Sequence, residues 1–289
     1  MRRTAVLDIG GTRIKAGLFE DDQLIITKEA DTLAKEGASS VMHRCMDLFS
    51  SFEPFEAIGI STCGQVDEDT GSIHYANDNM PGYTGTPVRQ LFEEHFHVPC
   101  AVENDVYAAA RGEAAYGAGR NHSDFICLTY GTGIGGGVFL NGKPYYGTGR
   151  NAGVMIGGLY SHSEKANGWK GTYESCASTT ALVHSASEIN PEIHNGRDLF
   201  ANLEDERIQK VLDHWMQECA AGIASLIHVY NIPAVILGGG IMDQELIFNG
   251  IRNKTSEILI PGFEGTEILK AQLGNLAGLY GVKAMADLL

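Results

Sequence analysis

Two carboxylates stand at the ends of apolar runs, where one could hold a metal ion and the other could take a proton. Asp8 ends the apolar run Thr4-Ala5-Val6-Leu7 and leads into Ile9-Gly10-Gly11-Thr12. A carboxylate at the end of a buried strand can hold a metal ion, and amides in a glycine turn can converge on an anion. Thr12 adds a hydroxyl donor, and Gly10 and Gly11 would allow positive φ and a close approach to a ligand. Taken alone, the segment reads equally well as an ordinary hairpin with a capping Asp. Asp105 follows the strand-like Val98-Pro99-Cys100-Ala101-Val102 and the pair Glu103-Asn104, just ahead of an Ala-rich helical stretch from Val106. An Asp there serves as an N-cap or as a general base. The two roles are compatible, because the positive helix end favours the ionised carboxylate.

The elements around these residues recur. Thr4–Leu7, the turn at Gly10-Gly11 and the alternating run Arg13-Ile14-Lys15-Ala16-Gly17-Leu18 form a strand, turn and strand. The same plan returns in Phe125–Tyr130, Gly131-Thr132-Gly133-Ile134-Gly135-Gly136-Gly137, Val138-Phe139-Leu140 and the turn Asn141-Gly142, an internal repeat. The second turn also satisfies GxGxxG, but that fingerprint requires a following helix and an acid about 20 residues on. A strand follows instead, and no Asp or Glu occurs between Phe125 and Ser163, so a dinucleotide fold is rejected. The Walker lysine motif is absent as well. An acid-free, glycine-rich zone suits an anionic ligand.

Further strands are expected at Leu24–Thr27, Ala57–Ile60, Ala234–Leu237 and Glu267–Lys270. Helices are expected over 38–50, 88–95, 106–115, 174–187, 208–229, 244–253 and 276–288. The boundary between two α/β domains falls near Tyr116–Gly119, giving 1–118 plus 276–289 and 119–275. The 289 residues, 44% of them hydrophobic, can bury two cores. A net charge of −15 argues against nucleic acid as partner, though not against a nucleotide. No apolar run approaches the roughly 20 residues of a membrane helix. Met1-Arg2-Arg3 runs straight into a strand, with no signal peptide. Six scattered cysteines read as free thiols in a reducing cytosol, so a cytoplasmic location is expected.

Taken in order, these segments resemble the ROK family of sugar kinases, within the actin-like, hexokinase-like ATPase superfamily. Asp8-Ile9-Gly10-Gly11-Thr12 is similar to the first phosphate motif, with Lys15 just beyond it. Gly131-Thr132-Gly133 is similar to the second, and Gly238-Gly239-Gly240 resembles the adenosine motif. Gly64 and the loop Asn79-Met80-Pro81-Gly82 resemble sugar-contacting segments. Glu103-Asn104-Asp105 resembles the segment whose Asn holds a sugar hydroxyl and whose Asp is the catalytic base. Glu174 matches a sugar-contacting acid.

The resemblance implies two actin-like (ribonuclease H-like) domains with a nucleotide and sugar cleft between them. It also implies a homodimer and transfer of the γ-phosphoryl of ATP to a sugar hydroxyl, the 6-OH of a hexose or glucoside. Mg²⁺ would sit on Asp8 through water.

The chain also departs from that pattern. Where most members carry Gly-Glu-x-Gly-His, this sequence has Val154-Met155-Ile156-Gly157-Gly158, so Met155 and Gly158 stand for the Glu and the His. In place of a cysteine-rich zinc loop stands Gly168–Cys176 with a single Cys. Structural zinc needs four soft ligands, so no zinc site is expected. Met155 and the space at Gly158 would make an apolar, roomier pocket, suited to a glucoside or disaccharide. Otherwise the loop runs differently and Glu174 or His162 fills the role. A sensor of the same fold that has lost catalysis is the alternative to a kinase.

Overall fold

The alternation of apolar residues sets the sheets, and tight glycine contacts set the helix that covers one of them. The computed structural model describes residues 1–52, 54–149, 151–161 and 167–289; His162 lies outside them. Two compact units form: Met1–Arg120 with Tyr146–Asn151 and Leu276–Leu289, and Asn121–Tyr145 with Ala152–Asn275.

In the first unit the elements are β1 (Arg3–Ile9), β2 (Arg13–Glu20), β3 (Gln23–Asp31), α1 (Ala38–Ser50), β4 (Ala57–Thr62), β5 (Gln65–Asp67), β6 (Ser72–Tyr75), α2 (Val88–Phe96), β7 (Cys100–Asn104) and α3 (Asp105–Tyr116). The second unit holds β8 (Phe125–Tyr130), β9 (Ile134–Leu140), β10 (Lys143–Pro144), α4 (Tyr173–Ala177), α5 (Thr179–Ser187), α6 (Gly196–Ala201), α7 (Glu206–Tyr230), β11 (Ala234–Gly238), α8 (Glu245–Ile258) and β12 (Glu267–Lys270). The chain then returns to the first unit as α9 (Ala277–Ala286).

The two main sheets repeat one topology. Their orders are β3-β2-β1-β4-β7 and β10-β9-β8-β11-β12. Each is an antiparallel meander of three strands whose first strand pairs in parallel with a fourth, which in turn pairs in parallel with a fifth. This is the ribonuclease H-like order, present twice. The central strands are covered on both faces, so β4 and β11 read as unbroken buried runs. In the second unit α7 lays Leu212, Trp215, Met216, Cys219, Ile223 and Ile227 into one core with Ile126, Leu128, Val235 and Leu237. Among the described residues, no helix is long and apolar enough to cross a membrane.

Some local expectations change. Strand β9 begins at Ile134, so Gly135–Gly137 lie inside a strand rather than in the turn. The helix expected over 174–187 breaks at Ser178, which caps α5 by accepting the Ala181 N–H. Ser178 is extended, with ψ 160°, and the Thr179 N–H donates to the Gly131 carbonyl at 3.0 Å instead of back into the preceding helix. Neither Gly10 nor Gly11 adopts positive φ. Gly10 is needed for room instead: a Cβ there would lie 3.0 Å from the Arg13 carbonyl oxygen. The hairpin β5–β6, the short β10 and α6 have no counterpart in the expected elements.

Helix α9 lies against α3 with almost nothing between the backbones. A Cβ on Gly281 would stand 1.7 Å from the Ala108 carbonyl oxygen, and one on Gly112 2.2 Å from that of Ala277. This contact also brings Gly278 over the end of the sheet, where its Cβ would lie 3.3 Å from Asp8 Cγ.

Candidate active site

In the first unit four neighbouring strands end in one lateral row of polar residues. Lys15 of β2 pairs with Asp8 of β1, Asp8 with Ser61 of β4, and Ser61 with Glu103 of β7. Ser61 Oγ donates to Asp8 Oδ1 at 2.7 Å. Burial raises the Asp8 pKa, and the Ser61 hydrogen bond and the charge of Lys15 offset part of that rise. A buried carboxylate with oxygen neighbours suits a hard cation such as Mg²⁺, and Asp8 is the residue that would hold it.

One step beyond the row, β7 passes into α3. The N-cap is Asn104, not Asp105: Asn104 Oδ1 accepts the N–H groups of Val106 and Tyr107 at 3.0 and 3.3 Å. Asp105 is the first helical residue. Pairing of Asn104 with Thr62 keeps Asn104 in the strand and fixes the helix start one residue later. Asn104 Nδ2 donates to Asp105 Oδ1 and to the Gly64 carbonyl, each at 2.9 Å. Gly64 has φ +93°, and a Cβ there would meet the Tyr75 carbonyl at 2.9 Å, so only glycine fits. Burial and the negative charge of Asp8 raise the Asp105 pKa from 3.8 to about 6, against hydrogen bonds from Val106 and Asn104 that lower it.

Behind this pair Glu103 is 4% exposed. Its Oε1 accepts the Asn104 N–H at 3.0 Å, and its Oε2 accepts Arg111 Nε at 2.8 Å and the hydroxyl of Tyr146. Arg111 Nη2 donates to the Tyr146 oxygen at 2.7 Å.

In the second unit the glycine turn occupies the same place between strands but closes one residue tighter: Gly131 N–H donates to the Gly133 carbonyl, whereas Gly10 N–H donates to that of Arg13, both at 3.0 Å. The tips Gly11, Thr12, Gly131 and Thr132 are exposed. Glu174 Oε2 accepts the Ile134 N–H at 2.9 Å and lies where a Cβ on Gly133 would be, so its carboxylate braces this turn. Gly239, at φ +103°, lets the end of β11 abut Tyr130. Gly131, Thr132, Thr179, His184, Asn195 and Gly240 line part of a cavity of about 510 Å³.

Other expected residues stand differently. Asn79 is an exposed turn residue whose N–H donates to Asn77. Met155 is 52% exposed rather than buried. The space expected at Gly158 is taken by the indole of Trp169, about 3.4 Å from the position of a Cβ. Among the described residues, no group of three or more His, Cys, Asp or Glu is placed to hold a metal ion. Cys45, Cys63, Cys100, Cys127, Cys176 and Cys219 are free thiols.

A family model for the ROK family matches residues 4–288. The chain belongs to the ROK family. Among its relatives, a glucokinase of Thermotoga maritima is 31% identical over 96% of this chain and 95% of that protein. A beta-glucoside kinase of Listeria innocua is 29% identical over the same shares. The crystal structure of a ROK family glucokinase from Streptomyces griseus with glucose and AMPPNP superposes with a TM-score of 0.86. It is 29% identical, over 99% of this ROK chain and all of that one.

Ser61, Arg111 and Tyr146 were not assigned a role by sequence; each meets its partner from a different element, and no local spacing signals such a pairing.

Proposed function

We propose that this ROK chain is an ATP-dependent sugar kinase that transfers the γ-phosphoryl group to a hydroxyl, the 6-OH, of a hexose or glucoside. The observation that carries the reading is Asp105, a carboxylate raised to about 6 and hydrogen-bonded to Asn104 at a strand end shared with Asp8. A base with a pKa near the working pH accepts a proton as its oxygen partner attacks. Asp105 takes the proton of the sugar hydroxyl while that oxygen bonds to phosphorus and the bond to ADP breaks. Asn104 and Gly64 orient the sugar. The turns at Gly10–Thr12 and Gly131–Gly133, whose tips Gly11, Thr12 and Thr132 are exposed, bind phosphate oxygens, and the cavity beside Gly131 and Gly240 takes the adenosine. Asp8 would hold Mg²⁺, which would neutralise charge on the transferring group, the effect that dominates such loose transition states. ATP turnover that rises on addition of sugar is the expected result; turnover indifferent to every sugar tested overturns the reading.

The pH dependence follows from the sign of the shift. The working form of Asp105 is ionised, so activity is lost as pH falls through about 6, not through 3.8. kcat/KM for the sugar is expected to be flat above pH 7 and to fall about tenfold per unit well below the midpoint. A profile still flat at pH 5 contradicts the assignment.

For the acceptor we propose a glucoside or a disaccharide. Trp169 is half exposed and lies against Gly158, with Met155 open beside this segment. An indole face offers an apolar platform to a ring joined to the sugar. Comparison of kcat/KM for cellobiose, methyl β-glucoside, glucose and N-acetylmannosamine is expected to favour the first two. A tenfold preference for an unsubstituted monosaccharide, about 1.4 kcal/mol in transition-state binding, overturns this choice.

A further inference from the structure

Glu103 is a buried carboxylate for which the reaction above has no direct use. A buried charge is tolerated when it is paired and hydrogen-bonded, and Glu103 is both. Yet an ion pair serving stability alone is commonly replaced by apolar residues at no cost. The position of this one argues for a further role. Glu103 Oε1 receives the N–H of Asn104, whose side chain caps α3 and donates to Asp105 Oδ1. Glu103 Oε2 is held in turn by Arg111 and Tyr146.

The Tyr146 hydroxyl accepts from Arg111 and donates to Glu103. Its ring packs against Tyr107 at 4.6 Å between centroids. A continuous line of hydrogen bonds therefore runs from Tyr146 through Glu103 and Asn104 to Asp105. Tyr146 opens the segment Tyr146–Asn151, which packs with the first unit although the chain on either side belongs to the second.

We propose that Glu103, Arg111 and Tyr146 are positioning residues for phosphoryl transfer, holding the Asn104–Asp105 peptide so that the base meets the sugar hydroxyl. The proposal rests on the kinase reading above. None of the three touches the reacting atoms; they act through the Asn104 N–H.

Tyr146→Phe tests it, because the ring against Tyr107 stays and only the hydroxyl is lost. Misplacement of a catalytic group by about 1 Å can cost up to 10²-fold in rate. The expected result is a fall in kcat for sugar phosphorylation of about tenfold or more, with KM for ATP within about twofold of the unsubstituted protein. Arg111→Lys is expected to act in the same direction, since one ammonium cannot reproduce the guanidinium fork to Glu103 and Tyr146. A purely structural role would lower kcat only in step with the loss of folded protein seen by thermal unfolding.

That proportional loss, or a kcat within twofold in both variants, overturns the proposal while the kinase reading stands. Absence of sugar-dependent turnover in the unsubstituted protein overturns the kinase reading and the proposal with it.

Discussion

Asp105→Asn is expected to lower kcat for sugar phosphorylation by two orders of magnitude or more while the fold and sugar binding survive. General-base catalysis contributes roughly 10²–10⁴-fold, and the amide cannot accept the hydroxyl proton. The substitution keeps the size of the side chain. It also spares the helix, because Asn104 and not Asp105 is the N-cap of α3. Stability provides an internal control. A carboxyl whose pKa is raised from 3.8 to about 6 by folding favours the folded state while protonated, and that contribution is lost as pH rises through about 6. Above pH 7 the neutral Asn is therefore at least as compatible with the site as ionised Asp105. Thermal unfolding at pH 8 should show no loss of stability, and sugar affinity measured by calorimetry should be retained. Turnover above about a tenth of the unsubstituted level would show that another group removes the proton.

Gly281→Val is expected to have the largest effect on stability. The obstacle is backbone: the new Cβ would lie 1.7 Å from the Ala108 carbonyl oxygen and 2.9 Å from Gly112 N. No rotamer change relieves that, so α9 must move off α3. Overpacking typically costs 1–3 kcal/mol, occasionally more, and a rigid backbone wall puts this site at about 3 kcal/mol. At roughly 2–4 °C per kcal/mol for chains somewhat smaller than this one, the melting point should fall by about 6–12 °C. Activity should fall as well, because Gly278 of the same helix lies against Asp8 and Ser61. Gly265→Ala is the comparison: nothing lies within 4 Å of a Cβ there, and its effect should stay within about 0.5 kcal/mol. Equal melting points for the two variants would refute the packing argument.

What the amino-acid order determined by itself was local and periodic. The strands Phe125–Tyr130 and Glu267–Lys270 occupy the residues expected of them, and α1 spans 38–50 as its apolar spacing requires. The repeated glycine hairpin was visible as a pattern, and both copies open sheets of one topology. Such features are legible because burial on a strand or helix face imposes a period of 2 or 3.6 on neighbouring residues, and a tight turn selects its own residue types.

Tertiary structure decided whatever depends on partners distant in sequence. Asn104 and Asp105 are both good caps, and pairing with Thr62 in another strand selects Asn104. The helix after Glu174 breaks at Ser178, where the Thr179 N–H turns to the carbonyl of Gly131, 48 residues earlier. A Gly at 158 implied empty space, and an indole eleven positions on, at 169, occupies it. Glu103 reads only as the residue that follows a strand until Arg111 and Tyr146 close around it. The glycines of α9 mean nothing until α3, more than 150 residues earlier, is laid on them. The reason is common to all five. A side chain's type limits which bonds it can make, but the packed sheet and helices determine which partner comes within 3 Å, and the electrostatics of the site follow from that choice.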